Sequence, residues 1–462
     1  MDQTGKVYIE VGKGVRWINL PTEAKKKVIK DLRFDNPKYI SAEKHGGYVS
    51  SSVDRYIKFF KIYSDRKTVW TPRGYIWYLK KWLKNNNYKI KIRNRTLVLP
   101  KINIKFKGVL RDYQDLGVTD VVNRYPVGVL EAATGAGKTV MGTAIIARRK
   151  QPTLIIVHTK ELLYQWQSSI KKFLDYDCGL LGDSKCDIKD ITVGIINTVR
   201  NKIDLLAPKF GHIICDEAHR CPSTTWTDCL VEFPAKYYLG LTATAFRKDG
   251  LGHAIFAHIG PKVHKVNKKK LHETGAVLKP KIFKMETDFR AARSAWEEEA
   301  MNYSSMIKKL TEDDERNILI TRTITSDLSR FHDNILVVSD RVSHCQKIAD
   351  ILNRKGLKNH VLSGKTANGK RKSIVADVKA GKCKILIATL SLIGEGFDAP
   401  NLTTLLLTTP IKFSGRLIQT VGRVLRPEKG KVPRVYDFRD NNVRVLRYSG
   451  FHRDRIYRKE WS

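Results

Sequence analysis

Acidic residues are in short supply in this chain: 46 Asp+Glu face 85 Lys+Arg, leaving a formal charge of +39 on 462 residues. A folded body so basic repels itself unless a polyanion is near, and nucleic acid is the commonest one. The imbalance weighs against a basic surface kept for solubility alone. Cysteine is sparse as well. The seven, at 178, 186, 215, 221, 229, 345 and 383, are odd in number and contain no Cys-x-x-Cys pair, which speaks against a disulfide framework or a zinc site and for reduced thiols in a cytosolic setting. Cys215, His219 and Cys221 crowd together but flank an acidic pair, so burial or incidental proximity outweighs metal binding there. No apolar run approaches the roughly 18 residues of a membrane-spanning helix. The N-terminus is polar and charged, without the apolar stretch of a signal peptide. These absences lead to the expectation of a soluble, cytoplasmic protein.

What is present is organised around two short strings. Ala132-Ala133-Thr134-Gly135-Ala136-Gly137-Lys138-Thr139 is a phosphate-binding loop: glycines let backbone N–H groups curl around phosphate oxygens, Lys138 reaches the outer phosphates and the Thr139 hydroxyl holds Mg2+. Asp216-Glu217-Ala218-His219 follows a hydrophobic strand, so Asp216 can complete the magnesium shell and Glu217 can polarise a water. Together they predict an ATP-hydrolysing site with ATP and Mg2+ as cofactors.

Short β-branched runs alternate with helical stretches from Leu130 to about Lys270, as a parallel sheet covered by helices requires. The strands predicted there are Thr153 to Val157, Ile191 to Ile196, His212 to Cys215 and Leu239 to Thr244. The pattern returns at Asn334 to Ser339, Lys384 to Thr389 and Thr403 to Thr408, with a helix from Ser343 to Arg354. The expected fold is α/β, two doubly wound parallel-sheet domains. Ala291 to Leu310 predicts one helix, and Thr311 to Arg316 either its end or a new start. Whether this piece is an insertion or part of the second domain stays open.

The first hundred residues have a different composition. Between Arg55 and Arg95 there are 13 Lys+Arg against one acid, Asp65, interleaved with Tyr56, Phe59, Phe60, Tyr63, Trp70, Tyr75, Trp77, Tyr78, Trp82 and Tyr88. The cations suit phosphates. The aromatics suit either base stacking or a small core, and the core is favoured for most of them. The expected boundaries are 1–100 for a small basic accessory domain, 101–270 for the ATP-binding domain and 271–462 for the second α/β domain.

Further motifs complete a series: Leu110-Arg111-Asp112-Tyr113-Gln114, Leu241-Thr242-Ala243-Thr244 with the extension Ala245 to Gly250, Ile393-Gly394-Glu395-Gly396-Phe397-Asp398, and Gln419-Thr420-Val421-Gly422-Arg423-Val424-Leu425-Arg426-Pro427. In order, over roughly residues 108–428, they resemble the superfamily 2 helicases, in particular the phage UvsW-type and RecG-type recombination and branch-migration enzymes and the related repair helicases. The resemblance implies two RecA-like domains. It also implies that Arg111 and Gln114 read adenine, Gln114 offering both a donor and an acceptor, and that the loop residues Thr134, Gly135, Ala136, Gly137, Lys138 and Thr139 hold the nucleotide. Asp398 approaches the ribose, and Leu241-Thr242-Ala243-Thr244 connects nucleotide state to domain movement, although hydroxyls at a strand end also serve as simple caps.

If residues 419–427 are helical, Arg423 and Arg426 share a face and meet the γ-phosphate across the domain cleft, with Gln419 in the same catalytic motif. A surface ion-pair role is the alternative. Thr159, Asn197, Thr198, Ser339 and Thr389 are implied contacts to the nucleic-acid backbone, each able instead to be a helix cap. Two departures from the pattern, Ala132 for the loop's first glycine and Thr420 after the glutamine, leave its chemistry intact.

The expected activity is an ATP-dependent DNA helicase or translocase acting as a monomeric motor on branched, forked or duplex DNA in recombination, replication or repair. An RNA helicase is the alternative enzyme. A nucleic-acid-binding ATP switch that remodels complexes without unwinding is the alternative of another class.

Overall fold

The computed structural model describes residues 6–44, 53–243, 250–292, 294–332, 334–394, 401–428 and 430–461. Thr244 with 245–249 of the extension, and Glu395 to Asp398, lie outside the described residues. Most of the chain divides into two compact units with the boundary between Val266 and Asn267.

The first unit begins with a small α/β module: β1 (Val7–Val11), β2 (Val15–Ile18), helix Thr22–Leu32, β3 (Arg33–Asp35), β4 (Tyr56–Lys58), β5 (Lys61–Ile62), β6 (Val69–Thr71), helix Ile76–Asn85 and β7 (Ile90–Asn94). Five strands form a sheet in the order β5-β6-β2-β1-β7, and β3 pairs with β4 separately. Alternate residues Val7, Ile9, Val15, Trp17 and Val69 turn to one face, where they pack with Val28, Leu32, Leu79 and Leu83 of the two helices. This core runs on into Ala254 and Ala257 of helix Gly252–Ile259. Arg73, buried, donates from Nη1 to Ala235 O and from Nη2 to Lys236 O at 3.1 Å, and lies 4.8 Å from the Tyr238 ring centre. Trp77 meets Tyr125 edge-on at 4.7 Å. The basic module is therefore built onto the sheet that follows it.

That sheet contains β8 (Val127–Glu131), β9 (Thr153–Val157), β10 (Gly179–Gly182), β11 (Lys185–Cys186), β12 (Ile191–Ile195), β13 (His212–Asp216), β14 (Tyr237–Thr242) and β15 (Lys262–Lys265). Their order is β11-β10-β12-β9-β13-β14-β8-β15, parallel except for the β10–β11 hairpin. Every residue of β8, β9 and β13 is buried, which explains the unbroken apolar runs.

The second unit repeats the architecture with β16 (Lys281–Glu286), β17 (Ile335–Ser339), β18 (Asn359–Leu362), β19 (Ile385–Thr389), β20 (Thr404–Leu407) and β21 (Arg434–Arg439). All are parallel, in the order β16-β21-β20-β17-β19-β18. Two RecA-like sheets are thus present, as the motif order implied, and the basic N-terminal module belongs to the first compact unit. The single helix expected over 291–310 is instead two, Ala295–Ala300 and Tyr303–Glu312. Asn302 breaks it, leaving the helical region and accepting the Ser305 N–H at 2.9 Å as a cap. Thr311 to Arg316 holds both an end and a start: Asp313 caps helix Asp314–Phe331 by accepting the Arg316 N–H at 2.8 Å. Arg316 then pairs with Asp440 at 2.7 Å, both side chains 1% exposed, fastening this helix just beyond β21.

Candidate nucleotide-hydrolysis site and nucleic-acid interface

In a parallel sheet the loops at the carboxyl ends of the strands form the natural crevice. Register brings three of the motifs to neighbouring strand ends in the first unit. Asp216 lies opposite Leu241 on β14, and Thr242 opposite Glu131 on β8. The phosphate loop leaves β8 with Ala132 N donating to Thr242 O at 2.9 Å. Ala132 is buried and its φ is not positive, so the position that is glycine in the general pattern tolerates a Cβ here. Gly137 differs: its φ is 81°, and a Cβ would fall 2.4 Å from Gln114 Nε2. The adenine motif therefore lies directly against the phosphate loop. Gln114 Oε1 accepts the Arg111 backbone N–H at 3.0 Å, and Arg111 stands exposed at the N-cap of helix Asp112–Arg124. Lys138 opens helix Lys138–Arg149 and its Nζ donates to Ala132 O at 3.4 Å, with Thr139 next to it in a first turn suited to anions.

The acidic pair is held more elaborately than its sequence suggests. Trp166 Nε1, fully buried in helix Lys160–Leu174, donates to Asp216 Oδ2 at 2.9 Å, while the Glu217 backbone N–H donates to Asp216 Oδ1 at 2.9 Å. Burial, reinforced by the Glu217 charge, pushes the Asp216 carboxyl above the usual carboxylate range, against Trp166 and Lys138. Glu217 moves the other way. Burial would raise it, but Lys138, His219 and His158 hold it down to about 2. Its backbone is left-handed, φ 50° and ψ 51°, a conformation unusual for a non-glycine residue and concentrated at working sites. Glu217 Oε2 lies 3.2 Å from His219 Nδ1, which is 3.5 Å from Thr242 Oγ1. His219 thus stands between the acidic pair and the coupling motif.

Among the other candidates in this unit, Thr159 caps helix Lys160–Leu174, its Oγ1 accepting the Leu162 N–H at 3.3 Å. Asn197 is exposed and Thr198 half-buried on helix Ile196–Arg200. They follow neighbouring strands, since Ile195 pairs with Val157.

In the second unit, helix Ser414–Val421 carries Gln419 and then ends. Arg423 and Arg426 lie beyond it, so the expected shared helical face does not exist. The cause is a tightening to three-residue turns, Arg423 N to Thr420 O and Val424 N to Val421 O, both 3.1 Å. Arg423 is 8% exposed and donates from Nε to Ile393 O at 2.9 Å, joining its motif to the start of the glycine-rich one. Burial lowers the Arg426 guanidinium from its ordinary value. Ser339 and Thr389 are register partners at the ends of β17 and β19. Ser339 is wholly buried, its hydroxyl engaged by His344 Nδ1 at 2.9 Å and the Arg341 N–H at 3.1 Å. Thr389 is 5% exposed. Thr389 Oγ1 accepts from Ser391 Oγ at 3.4 Å, so both hydroxyls have partners within the second unit. The ribose candidate Asp398 lies outside the described residues.

The sequence reading missed Trp166 and the bridging role of His219. His219 was visible two residues after Glu217, but nothing in the string announces a tryptophan fifty residues upstream as the partner of Asp216.

Two family descriptions match the chain: "Type III restriction enzyme, res subunit" over residues 107–247 and "Helicase conserved C-terminal domain" over residues 315–428. The curated DNA 3'-5' translocase XPB2 of Sulfurisphaera tokodaii is 28% identical over 366 residues, covering 71% of this chain and 81% of its own length. The Escherichia phage T5 protein designated helicase D10 is 28% identical over 346 residues, 72% of this chain and 70% of its own. Among solved structures, a fragment assigned as the HsdR subunit of a type I restriction enzyme from Vibrio vulnificus YJ016 matches with a TM-score of 0.55 and 17% identity, over 74% of this chain and 66% of that one. At that identity the likeness concerns the fold alone.

Proposed function

This chain belongs to the superfamily 2 DNA helicases, ATP-dependent enzymes of two RecA-like domains, and on that premise we propose that it is a DNA translocase that remodels branched or forked DNA in recombination, replication or repair. The observation that carries the enzymatic part is the held acidic pair, Asp216 fixed by Trp166 and Glu217 linked through His219 to Thr242.

Residues 134–137 cradle the phosphates with backbone N–H groups, and Lys138 supplies positive charge to the outer phosphates. Thr139 and Asp216 are the donors for Mg2+. One hydroxyl and one buried carboxylate suit a hard ion that keeps waters and phosphate oxygens in most of its shell, and when bound it neutralises charge on the phosphates. Glu217, ionised at neutral pH, accepts a hydrogen bond from the attacking water and orients it in line with the γ-phosphate. Arg111 and Gln114 recognise the adenine, and Asp398 the ribose. Arg423 and Arg426, with Gln419, stabilise the charge that develops as the γ-phosphate departs, and Arg423's bond to Ile393 sets its position.

Thr159, Asn197, Thr198, Ser339 and Thr389 contact the sugar-phosphate backbone through short polar groups and N–H donors, which carry no sequence preference. The direction of travel is 3′ to 5′, in keeping with the name of the Sulfurisphaera relative. The basic N-terminal module adds a second grip on the branched substrate, and the motor works as a monomer.

Strand displacement tests this reading on forked, Holliday-type and plain duplex DNA beside an RNA duplex. Preferential ATP-dependent opening of the branched DNAs is expected. Opening of the RNA duplex alone would make the enzyme an RNA helicase, and DNA-stimulated hydrolysis with no displacement or translocation would make it a switch.

A further inference from the structure

The module's sheet has a second face that its core does not use. Strand register lays that face out in rows. Lys61 lies opposite Trp70, Trp70 opposite Arg16, Arg16 opposite Glu10 and Glu10 opposite Arg93. In the next row Tyr63 N donates to Thr68 O at 3.0 Å, Ile18 lies opposite Tyr8, and Tyr8 opposite Lys91. Because side chains alternate along a strand, all of these point away from the buried set of Val7, Ile9, Val15, Trp17 and Val69.

The face is wet and cationic. Arg16, Lys61, Lys91 and Arg93 are exposed, Tyr8 is 39% exposed, and Tyr63 and Trp70 are half-buried. Arg16 and Lys61 sit 5.3 Å and 5.5 Å from the Tyr63 ring centre, and Lys6 sits 5.8 Å from that of Tyr8. Among the described residues of these rows Glu10 is the one acid, and Arg95 binds it at 3.0 Å. Trp70 lies against Gly14, where a Cβ would fall 2.3 Å from the indole nitrogen.

We propose that this sheet face binds an unpaired nucleic-acid strand, stacking bases on Tyr8, Tyr63 and Trp70 while Arg16, Lys61, Lys91 and Arg93 meet its phosphates. The cations alone would suit any polyanion. The aromatics decide the occupant: a duplex keeps its bases stacked inside, whereas an unpaired strand can lay them on an aromatic-bearing sheet. The proposal rests on the reading that the chain acts on nucleic acid, and it assigns that grip to one face and one strand state. At a branch, such a face holds a strand already released while the motor advances.

The test uses the full chain with labelled oligo(dT), oligo(rU) and blunt duplex DNA of about 20 units, long enough to cover one site of this kind, at several salt concentrations. Tyr8→Ala and Tyr63→Ala should each weaken single-strand binding on the order of tenfold. Blunt-duplex affinity and nucleic-acid-free ATPase should be unchanged, and Tyr8→Phe and Tyr63→Phe should restore binding. The pair Arg16→Gln with Arg93→Gln should weaken binding and make its salt dependence shallower, since fewer counterions are released. Either oligonucleotide responding this way supports the face, and the tighter one identifies the sugar. Alanine variants that bind both oligonucleotides like the native chain, or that lose single-strand and duplex binding equally, would overturn it. Absence of any nucleic-acid stimulation of the native ATPase would instead remove the helicase reading beneath it, so the two failures are distinguishable.

Discussion

Trp166→Phe removes one hydrogen bond from the acidic pair and little else in shape. The indole N–H donates to Asp216 Oδ2 at 2.9 Å in a fully buried setting, and a bond to a charged acceptor contributes about 1.5–3 kcal/mol. The indole also packs against helix Lys138–Arg149, where a Cβ on Gly142 would lie 2.6 Å from it. The smaller ring therefore leaves a gap, bringing the expected loss of stability to about 2–4 kcal/mol. The functional cost should exceed the structural one. Groups that orient a metal-binding carboxylate typically govern 10–100-fold in metal affinity or activity, so DNA-stimulated ATPase should fall by about that factor and the Mg2+ concentration for half-maximal rate should rise by roughly tenfold. Leu163→Ala is the control, a fully buried change on the same helix with a comparable expected loss of about 2–5 kcal/mol. Mg2+ titrations of ATPase beside thermal melts separate the two effects. If Trp166→Phe lowers stability like Leu163→Ala but leaves the Mg2+ requirement unchanged, Trp166 is a core residue and not a positioning one.

Arg423→Ala should lower the single-turnover hydrolysis rate on the order of 100-fold while nucleotide affinity changes little, because a group acting on developing charge is felt in the rate; collapse of nucleotide binding with unchanged chemistry would refute the finger. Arg73→Ala should cost roughly 2–5 kcal/mol in a denaturant melt, since the Ala235 and Lys236 carbonyls lose a buried donor; a loss within about 0.5 kcal/mol, the range of ordinary surface changes, would mean the module is not locked to the sheet through it. Burial holds His258 down to about 4, so the unfolded chain takes up a proton first as pH falls below about 6.5. Its contribution is intact above that value and is lost progressively towards pH 4, by about 1 kcal/mol between pH 7 and 5.5, and His258→Gln should remove that part of the acid slope in thermal melts.

The chemistry was legible in the string where it depends on contiguous residues. The phosphate loop, the acidic pair and the buried parallel strands each occupy a few adjacent positions whose spacing and residue type carry the physics. Contacts between distant segments were not legible. Trp166 meets Asp216 only because β9 and β13 are neighbours and the helix after β9 folds back over the sheet. Ser339 has the composition of a strand-end contact, yet its hydroxyl is taken by His344, which only the turn into helix Val342–Arg354 brings near. Arg423 and Arg426 have helical spacing, but the helix stops at Val421. Composition set the first hundred residues apart. Helix Gly252–Ile259 completes their core, so cutting near residue 100 would expose Ala254 and Ala257 as well as remove charge.

The central claim is that the held pair Asp216 and Glu217 hydrolyses ATP to drive movement on DNA, and Glu217→Gln tests it most directly. The variant keeps the shape and the neighbours of the side chain but cannot carry the negative charge that orients the water. Steady-state ATPase with and without forked DNA should fall to background, strand displacement should cease, and ATP and DNA binding should persist in a folded protein. Near-native turnover in a purified Glu217→Gln protein would contradict the account.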